Sequence, residues 1–252
     1  MKSIAVINQK GGVGKSTTAL ALGAGLSIKG YRTLFIDLDA QANLSYSLRA
    51  NNSSSILSSF DVLTGKATAL ETIQRTSQGT LIASSPTLAG TDTVLTSIGK
   101  EYRLKEALES LSKDFDYIII DTPPALGILT INALTACTGV IIPAQADIYS
   151  LQGISQLYLT LQTVKKYCNP SLSVMGILLT RYNARAIISR EVAEMLEQTA
   201  LQLQTILYKT KIREATVIKE AQARRQNIYE YAPKSNAAKD YNSLINEIME
   251  EE

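Results

Sequence analysis

The sequence predicts an α/β fold: a single domain built on a doubly wound, mostly parallel sheet flanked by helices. Three observations carry that expectation. Five short segments are almost continuously apolar and rich in Ile, Val and Leu, as strands buried on both faces of a parallel sheet must be. Helical patterns separate them, so strand and helix alternate along the chain. At 252 residues, 45% apolar and 19% charged, the chain has enough material for one large buried core.

In chain order, SIAVIN (3–8) is the first strand, a helix is expected over 16–29, and TLFIDLD (33–39) is the second strong strand. NNSSSILSS (51–59) is Asn/Ser-rich and reads as a surface excursion, not a domain boundary. TLIAS (80–84) is a weaker strand candidate, and a helix is expected over 91–112. DYIIID (116–121), a helix over 128–137, GVIIPA (139–144), a helix over 150–168 and SVMGILLT (173–180) continue the alternation. TILYK (205–209) is the second weak strand candidate, and helices over 189–202, 213–224 and 236–250 complete the pattern. With no internal repeat and no linker, residues 1–252 are expected to form one domain.

Composition narrows the chemistry. There is no histidine, which excludes a histidine general base, a Ser-His nucleophile and a His-ligated metal. Carboxylates, lysines, hydroxyls, backbone amides and hard cations remain. Cys137 and Cys168 form no metal-ligand spacing and no disulfide framework, so they read as free thiols in a reduced cytosolic protein. No apolar run approaches the roughly 20 residues of a membrane span, and the N-terminus carries no signal-peptide pattern. The net charge of +2 is unevenly spread: residues 181–239 carry +5 and the tail 240–252 carries −5.

Residues 8–17, NQKGGVGKST, follow the first strand and open a helix at Lys15, which is the context of a phosphate-binding loop. Gly11, Gly12 and Gly14 permit backbone conformations and close approaches barred to other residues. Successive amides can then surround phosphate oxygens, aided by the helix N-terminus. Lys15 would pair with β- and γ-phosphates, and the Ser16 hydroxyl would ligate Mg²⁺. The pattern departs from the usual loop by having Gln9 where a glycine is expected and an additional lysine at Lys10.

Acids end two of the strands. Asp37 and Asp39 share one side of the strand in FIDLDAQAN, and Asp121 ends YIIIDTPP after four large apolar or aromatic residues. Ligands bind at such strand ends in open α/β sheets. The structural alternative is that strand-end acids cap the following loop; beside a phosphate loop the functional reading is preferred.

KGGVGKS resembles the deviant Walker A motif of the ParA/MinD/nitrogenase-iron-protein group of P-loop ATPases. DLDAQANLSYSL resembles the ParA-type stretch D-[LIV]-D-P-Q-[GA]-N, and DTPPALGILTINAL resembles its Walker B and switch segment. IIPAQADIYSLQGISQL is similar to the P-x-Q-x-E-x-x-[AS]-L-x-G stretch, with Asp147 in place of glutamate. LLTRYNAR and IREATVIKEAQARRQNIYEYAPKSNAAKDY resemble the ParA/Soj C-terminal region. The likeness spans most of the chain and is weakest over 45–95. It implies a P-loop NTPase fold of the deviant Walker A type with ATP and Mg²⁺ as cofactors. ATP would bind the loop from Lys10 through Gly11, Gly12, Val13, Gly14, Lys15 and Ser16 to Thr17. Lys10 would act in trans across a nucleotide-sandwich homodimer. Asp39 would orient the attacking water, Asp37 would lie near the metal and Asp121 would hold Mg²⁺ through water. Arg181 and Pro233 would frame the adenine.

The resemblance further implies an ATPase that partitions plasmids or chromosomes. Such an ATPase is cytoplasmic and nucleoid-associated, binds double-stranded DNA without sequence preference, and is stimulated by a ParB-type centromere-binding partner. Lys209, Lys211, Arg213, Lys219, Arg224 and Arg225 fall within 17 residues that hold only two acids, a candidate phosphate-contacting patch. The alternative for that run is an ordinary solvated helix face. No basic arm or helix-turn-helix precedes the first strand, so operator-specific binding is not expected. The rival class is a MinD-like membrane-cycling positioning ATPase. Its basic amphipathic C-terminal helix is not matched by KDYNSLINEIMEEE, whose polar face is acidic and would be repelled by anionic lipid. No membrane partner is therefore expected. A carrier of a bridged iron–sulfur cluster would need a second cysteine matching Cys137.

Overall fold

The computed structural model describes residues 1–51, 53 and 55–250. The chain runs β1 (Lys2–Val6), α1 (Lys15–Ile28), β2 (Thr33–Asp37), α2 (Asn43–Ser47), α3 (Ser59–Thr64), α4 (Ala69–Thr72), β3 (Ile73–Thr76) and β4 (Gly79–Ile82). It continues through α5 (Thr91–Val94), α6 (Arg103–Glu109), β5 (Tyr117–Asp121), α7 (Ile128–Ala136), β6 (Gly139–Gln145), α8 (Ile148–Tyr167) and β7 (Ser173–Thr180). Helices α9 (Ile187–Gln202), α10 (Thr216–Ala223), α11 (Ile228–Tyr231) and α12 (Asn236–Glu250) follow.

Seven strands form one sheet in the order β3-β4-β2-β5-β1-β6-β7. Every neighbouring pair is parallel except β3 with β4. This is the doubly wound, mostly parallel sheet the sequence predicts. β1 lies inside the sheet between β5 and β6, so the chain leaves it toward one side and later fills the other. Such a reversal opens a crevice at the carboxyl ends of the strands. The register sets the acids there: Asp37 of β2 pairs with Asp121 of β5, and Asp121 pairs with Val6 of β1.

The two faces of the sheet carry separate cores. One packs β-strand residues such as Ile36, Ile118 and Ile142 against Leu104, Leu134, Leu157 and Leu196 of α6 to α9. The other packs Ile4, Phe35 and Ile119 against Leu22 and Leu26 of α1 and Tyr241, Leu244, Ile245 and Ile248 of α12. The apolar stripe of the C-terminal helix is thus spent inside the domain.

Several expectations are corrected. The helix expected over 91–112 is broken: α5 ends at Val94, Gly99 takes φ +82°, and helix resumes only with a 3₁₀ turn at Lys100–Tyr102 and α6. Thr96, Ser97 and Gly99 are poor helix formers in succession, and they stop the first segment. TILYK contributes a single bridge, Leu207 to Ile177, in place of a strand. The 213–224 helix begins only at Thr216, because Arg213 bridges to Tyr182 in extended form. Strand β3 was not anticipated. The surface excursion over 51–59 falls partly on residues 52 and 54, which lie outside the described residues. Its last residue, Ser59, already opens α3, where the Asp61 carboxylate accepts from the Ser58 N–H and hydroxyl, both at 2.9 Å.

Candidate nucleotide and metal site

The loop after β1 bends as its glycines allow. Gly12 takes φ +77° and Gly14 φ +91°, in the region that disfavours any residue with a Cβ. A Cβ built on Gly11 or Gly12 would meet nothing within 4 Å, so the concave side is open space. Among the described residues, none accepts a hydrogen bond from the amides of Gly11 through Thr17; the first bond of the helix is Thr18 N–H to the Gly14 carbonyl at 2.8 Å. Seven consecutive unspent donors at a helix N-terminus form an anion-binding nest.

Lys15 is buried, and its ammonium donates to the Lys10 carbonyl at 3.2 Å. Burial holds its pKa below the ordinary lysine value, against the opposing pull of Asp121 and Asp39. Its charge is therefore only partly compensated by the protein.

Asp121 is fully buried, and neither carboxylate oxygen has a hydrogen-bond donor among the described residues. Burial, then the charge of Asp37 beside it, pushes its pKa well up; Ser16 and Lys15 oppose that rise. Asp37 is equally buried but fully engaged. Its Oδ2 accepts from the Ser45 N–H at 2.8 Å and hydroxyl at 2.7 Å, and its Oδ1 accepts from the Asp39 N–H at 3.0 Å. Burial still pushes its pKa up to about 6, with the Ser45 hydrogen bonds resisting and Asp39 adding. Asp39 accepts from the Gln41 N–H at 3.0 Å, and its own carbonyl is held by the Ser84 hydroxyl at 2.5 Å.

An orphaned buried carboxylate beside a helix-opening hydroxyl fits a hard divalent cation, which takes oxygen ligands. Among the described residues there is no cluster of three or more Asp, Glu, Cys or His that would hold a metal unaided. Asp121 and Ser16 could therefore hold Mg²⁺ only with water and ligand oxygens completing its shell, which is how Mg²⁺ binds beside phosphates.

The loop and Asp39 open on one cavity of about 620 Å³, lined by Gly11, Gly12, Gly14, Lys15, Ser16 and Thr17, with Tyr46 and Gln222 on the walls; Asp37 and Asp121 are buried behind it. A smaller cavity of about 150 Å³ adjoins it, shares Gly12, Gly14, Thr17 and Gln222, and is lined also by Thr180, Arg181 and Lys219. Arg181, at φ +50°, pairs with Glu214 at 2.8 Å across its rim. Pro233 lines neither cavity.

Lys10 does not point into the cavity. Its ammonium is ion-paired with Asp147, the residue that caps α8 by accepting from the Ser150 N–H at 3.1 Å. Val13 is buried beneath the loop.

The basic run is not one patch. Arg213 is held in a two-pronged pair by Asp240 of α12, and the Lys209 N–H by Glu247 at 2.7 Å. The Lys211 ammonium sits over the Tyr182 ring, 4.6 Å from its centroid. Arg224 and Arg225 instead cluster with a residue the sequence reading passed over. Arg49 donates to the Arg225 carbonyl at 2.9 Å and the Arg224 carbonyl at 3.2 Å. The Arg225 guanidinium stacks 4.7 Å above Tyr46, on the wall of the larger cavity. Arg49 lies in the stretch that offered no motif, and only the packing of α2 against the end of α10 reveals it.

Comparison with known proteins follows the same lines. A family model described as an AAA domain matches residues 1–174. The sporulation initiation inhibitor protein Soj of Bacillus subtilis is 40% identical over 250 residues, covering 98% of each chain. The chromosome partitioning protein ParA of Myxococcus xanthus is 41% identical over 194 residues, covering 76% of this chain and 69% of that protein. Among solved structures, cobyrinic acid a,c-diamide synthase of Mycobacterium smegmatis with bound ADP and magnesium superposes with a TM-score of 0.85 at 35% identity, over 98% of this chain and 93% of that one.

Proposed function

The chain belongs to the Soj/ParA family of partitioning ATPases, and on that premise we propose that it hydrolyses ATP with Mg²⁺ to drive the segregation of a plasmid or chromosome. The observation that carries this reading is a loop of seven unspent amides and the buried Lys15 ammonium at one cavity, with the unpaired Asp121 carboxylate buried behind it beside Ser16 and Lys15. A polyphosphate with a divalent cation satisfies all three; a neutral ligand leaves both charges uncompensated.

In this reading the loop amides and Lys15 bind the β- and γ-phosphates, while Ser16 and Asp121 hold Mg²⁺, which neutralises phosphate charge when bound. Asp39, on the cavity wall, orients the attacking water. Asp37 positions Asp39 through the bond from the Asp39 N–H, its oxygens being already spent on Ser45 and that amide. The base occupies the adjoining cavity beside Arg181, an assignment to which Pro233 contributes no lining. Lys10 enters the cavity of a second subunit in an ATP-dependent homodimer, so hydrolysis is slow alone and stimulated by a ParB-type partner.

The dimer would bind DNA without sequence preference through Arg49, Arg224 and Arg225, placing the protein on the nucleoid in the cytoplasm. Lys209, Lys211, Lys219 and Arg213 would add long-range attraction. Membrane cycling is disfavoured by α12, whose apolar residues pack in the core. Among the described residues, no helix is long and apolar enough to cross a membrane. A gel shift with duplex DNA, run with no nucleotide, ADP or ATP across a salt series, tests the DNA half. Binding that requires ATP and weakens steeply with salt is expected. Absence of binding with every nucleotide would refute it, and liposome co-sedimentation would then test the membrane-cycling alternative.

A further inference from the structure

The stretch IIPAQAD resembles a family motif but received no role from the sequence, and the structure gives it one. Gln145, the last residue of β6, donates its side-chain amide to the Gly12 carbonyl at 2.9 Å. Thr180, the last residue of β7, donates its hydroxyl to the Val13 carbonyl at 2.7 Å, with the Ala144 carbonyl a secondary acceptor at 3.2 Å. Its side chain also lies 3.8 Å from where Gly14 would carry a Cβ. Two adjacent carbonyls of the phosphate loop are thus fixed from the side of the sheet by the ends of two neighbouring strands.

Every peptide described is trans, and in a trans peptide the C=O and N–H point in opposite directions. Holding the Gly12 and Val13 carbonyls therefore turns the Val13 and Gly14 N–H groups away from β6 and β7. Both amides lack an acceptor among the described residues. Without these anchors, Gly12 and Gly14, which accept either sign of φ, leave both peptides free to flip. An anion site gains affinity when its donors are set before the ligand arrives.

The geometry points to Gln145 and Thr180 as positioning residues that preset the two central amides of the loop for phosphate. This rests on the nucleotide-binding reading above. Gln145 lines neither cavity, so its effect on a nucleotide must pass through the loop. Thr180 borders the smaller cavity, so its hydroxyl is tested by isosteric replacement.

The experiment is calorimetric titration of Mg·ADP and Mg·ATP into the wild type, Gln145→Met, Thr180→Val and Thr180→Ser, with the melting temperature of each nucleotide-free protein. Loss of one such hydrogen bond should weaken binding of both nucleotides by about fivefold. Nucleotide-free melting should stay at the wild-type value for Gln145→Met, and Thr180→Ser, which keeps the hydroxyl, should bind like the wild type. Wild-type affinity in both Gln145→Met and Thr180→Val overturns the positioning role, as does a lowered melting temperature with unchanged affinity. A wild type that binds neither nucleotide overturns the nucleotide reading itself. Should Thr180→Val fail to fold, the part-exposed Gln145→Met decides alone.

Discussion

At the scale of single residues, Asp121 shows most plainly where folding and function pull apart. A fully buried carboxylate without a hydrogen-bond donor costs the fold free energy, and its pKa is raised chiefly by that burial. A group whose folded pKa lies above its unfolded one stabilises the protein below the unfolded value. That contribution is lost as pH rises through the folded value. Asp37, at about 6 against an ordinary 3.8, places part of this loss between roughly pH 4 and 6. Asp121→Asn should therefore raise the melting temperature of the metal-free, nucleotide-free protein at pH 7.5. The gain should be on the order of 2–4 °C for each kcal/mol recovered, and Mg²⁺-dependent hydrolysis should be lost. The gap to the wild type should narrow as pH falls and the raised carboxyls of Asp121 and Asp37 take up protons. An unchanged or lowered melting temperature at pH 7.5 would mean that Asp121 is compensated in the fold. Lys15, Ser16 and Asp121 were legible because each is marked by its immediate neighbours in sequence. The partners of the loop were not: Asp147 and Gln145 reach it from 137 and 133 residues away, and no local pattern encodes such a pairing.

At the scale of elements, the strong strands and most helices were legible because burial on both faces imposes a continuous apolar run. What the sequence hid was fixed by packing. The weak strand at 205–209 is reduced to one bridge, and β3 exists only because β4 offers it an antiparallel edge. Gly23 in α1 shows how tightly such packing is set. A Cβ there would lie 2.2 Å from Phe35 Cε1 and 2.5 Å from Cζ, and the same buried ring is confined on its other edge by Gly79. Alanine favours a helix over glycine by about 1 kcal/mol. Overpacking against a ring that has no room to move costs about 1–3 kcal/mol, and the close approach to ring carbons sets this case at the upper end. Gly23→Ala should therefore lower the unfolding free energy by a net 1–2 kcal/mol, roughly, read as a lower denaturant midpoint at unchanged m. A more stable variant would show that α1 can lift off the sheet without penalty.

At the scale of the whole molecule, the strand order places the carboxyl ends of β1, β2 and β5 side by side, so a loop and two acids far apart in sequence share one crevice. At the same crevice Lys10 is folded back onto Asp147, away from the place its proposed role in a second subunit requires. In the proposed dimer, Lys10 reaches the second subunit only if that pair breaks, so the pair would oppose dimerisation. Both side chains are only about 30% exposed, at 28% and 32%, and such a pair is worth about 0.5–1 kcal/mol. Asp147→Asn removes the charge but keeps the cap on α8, because asparagine caps a helix as well as aspartate. The ATP-dependent dimer should then form at roughly five- to thirtyfold lower protein concentration, the factor that two such pairs, one in each subunit, correspond to. Nucleotide-free melting should be nearly unchanged. Sedimentation velocity in Mg·ATP over a protein dilution series reads this directly. A midpoint shifted the other way would assign Asp147 to the dimer interface itself, holding Lys10 in its working position instead of restraining it.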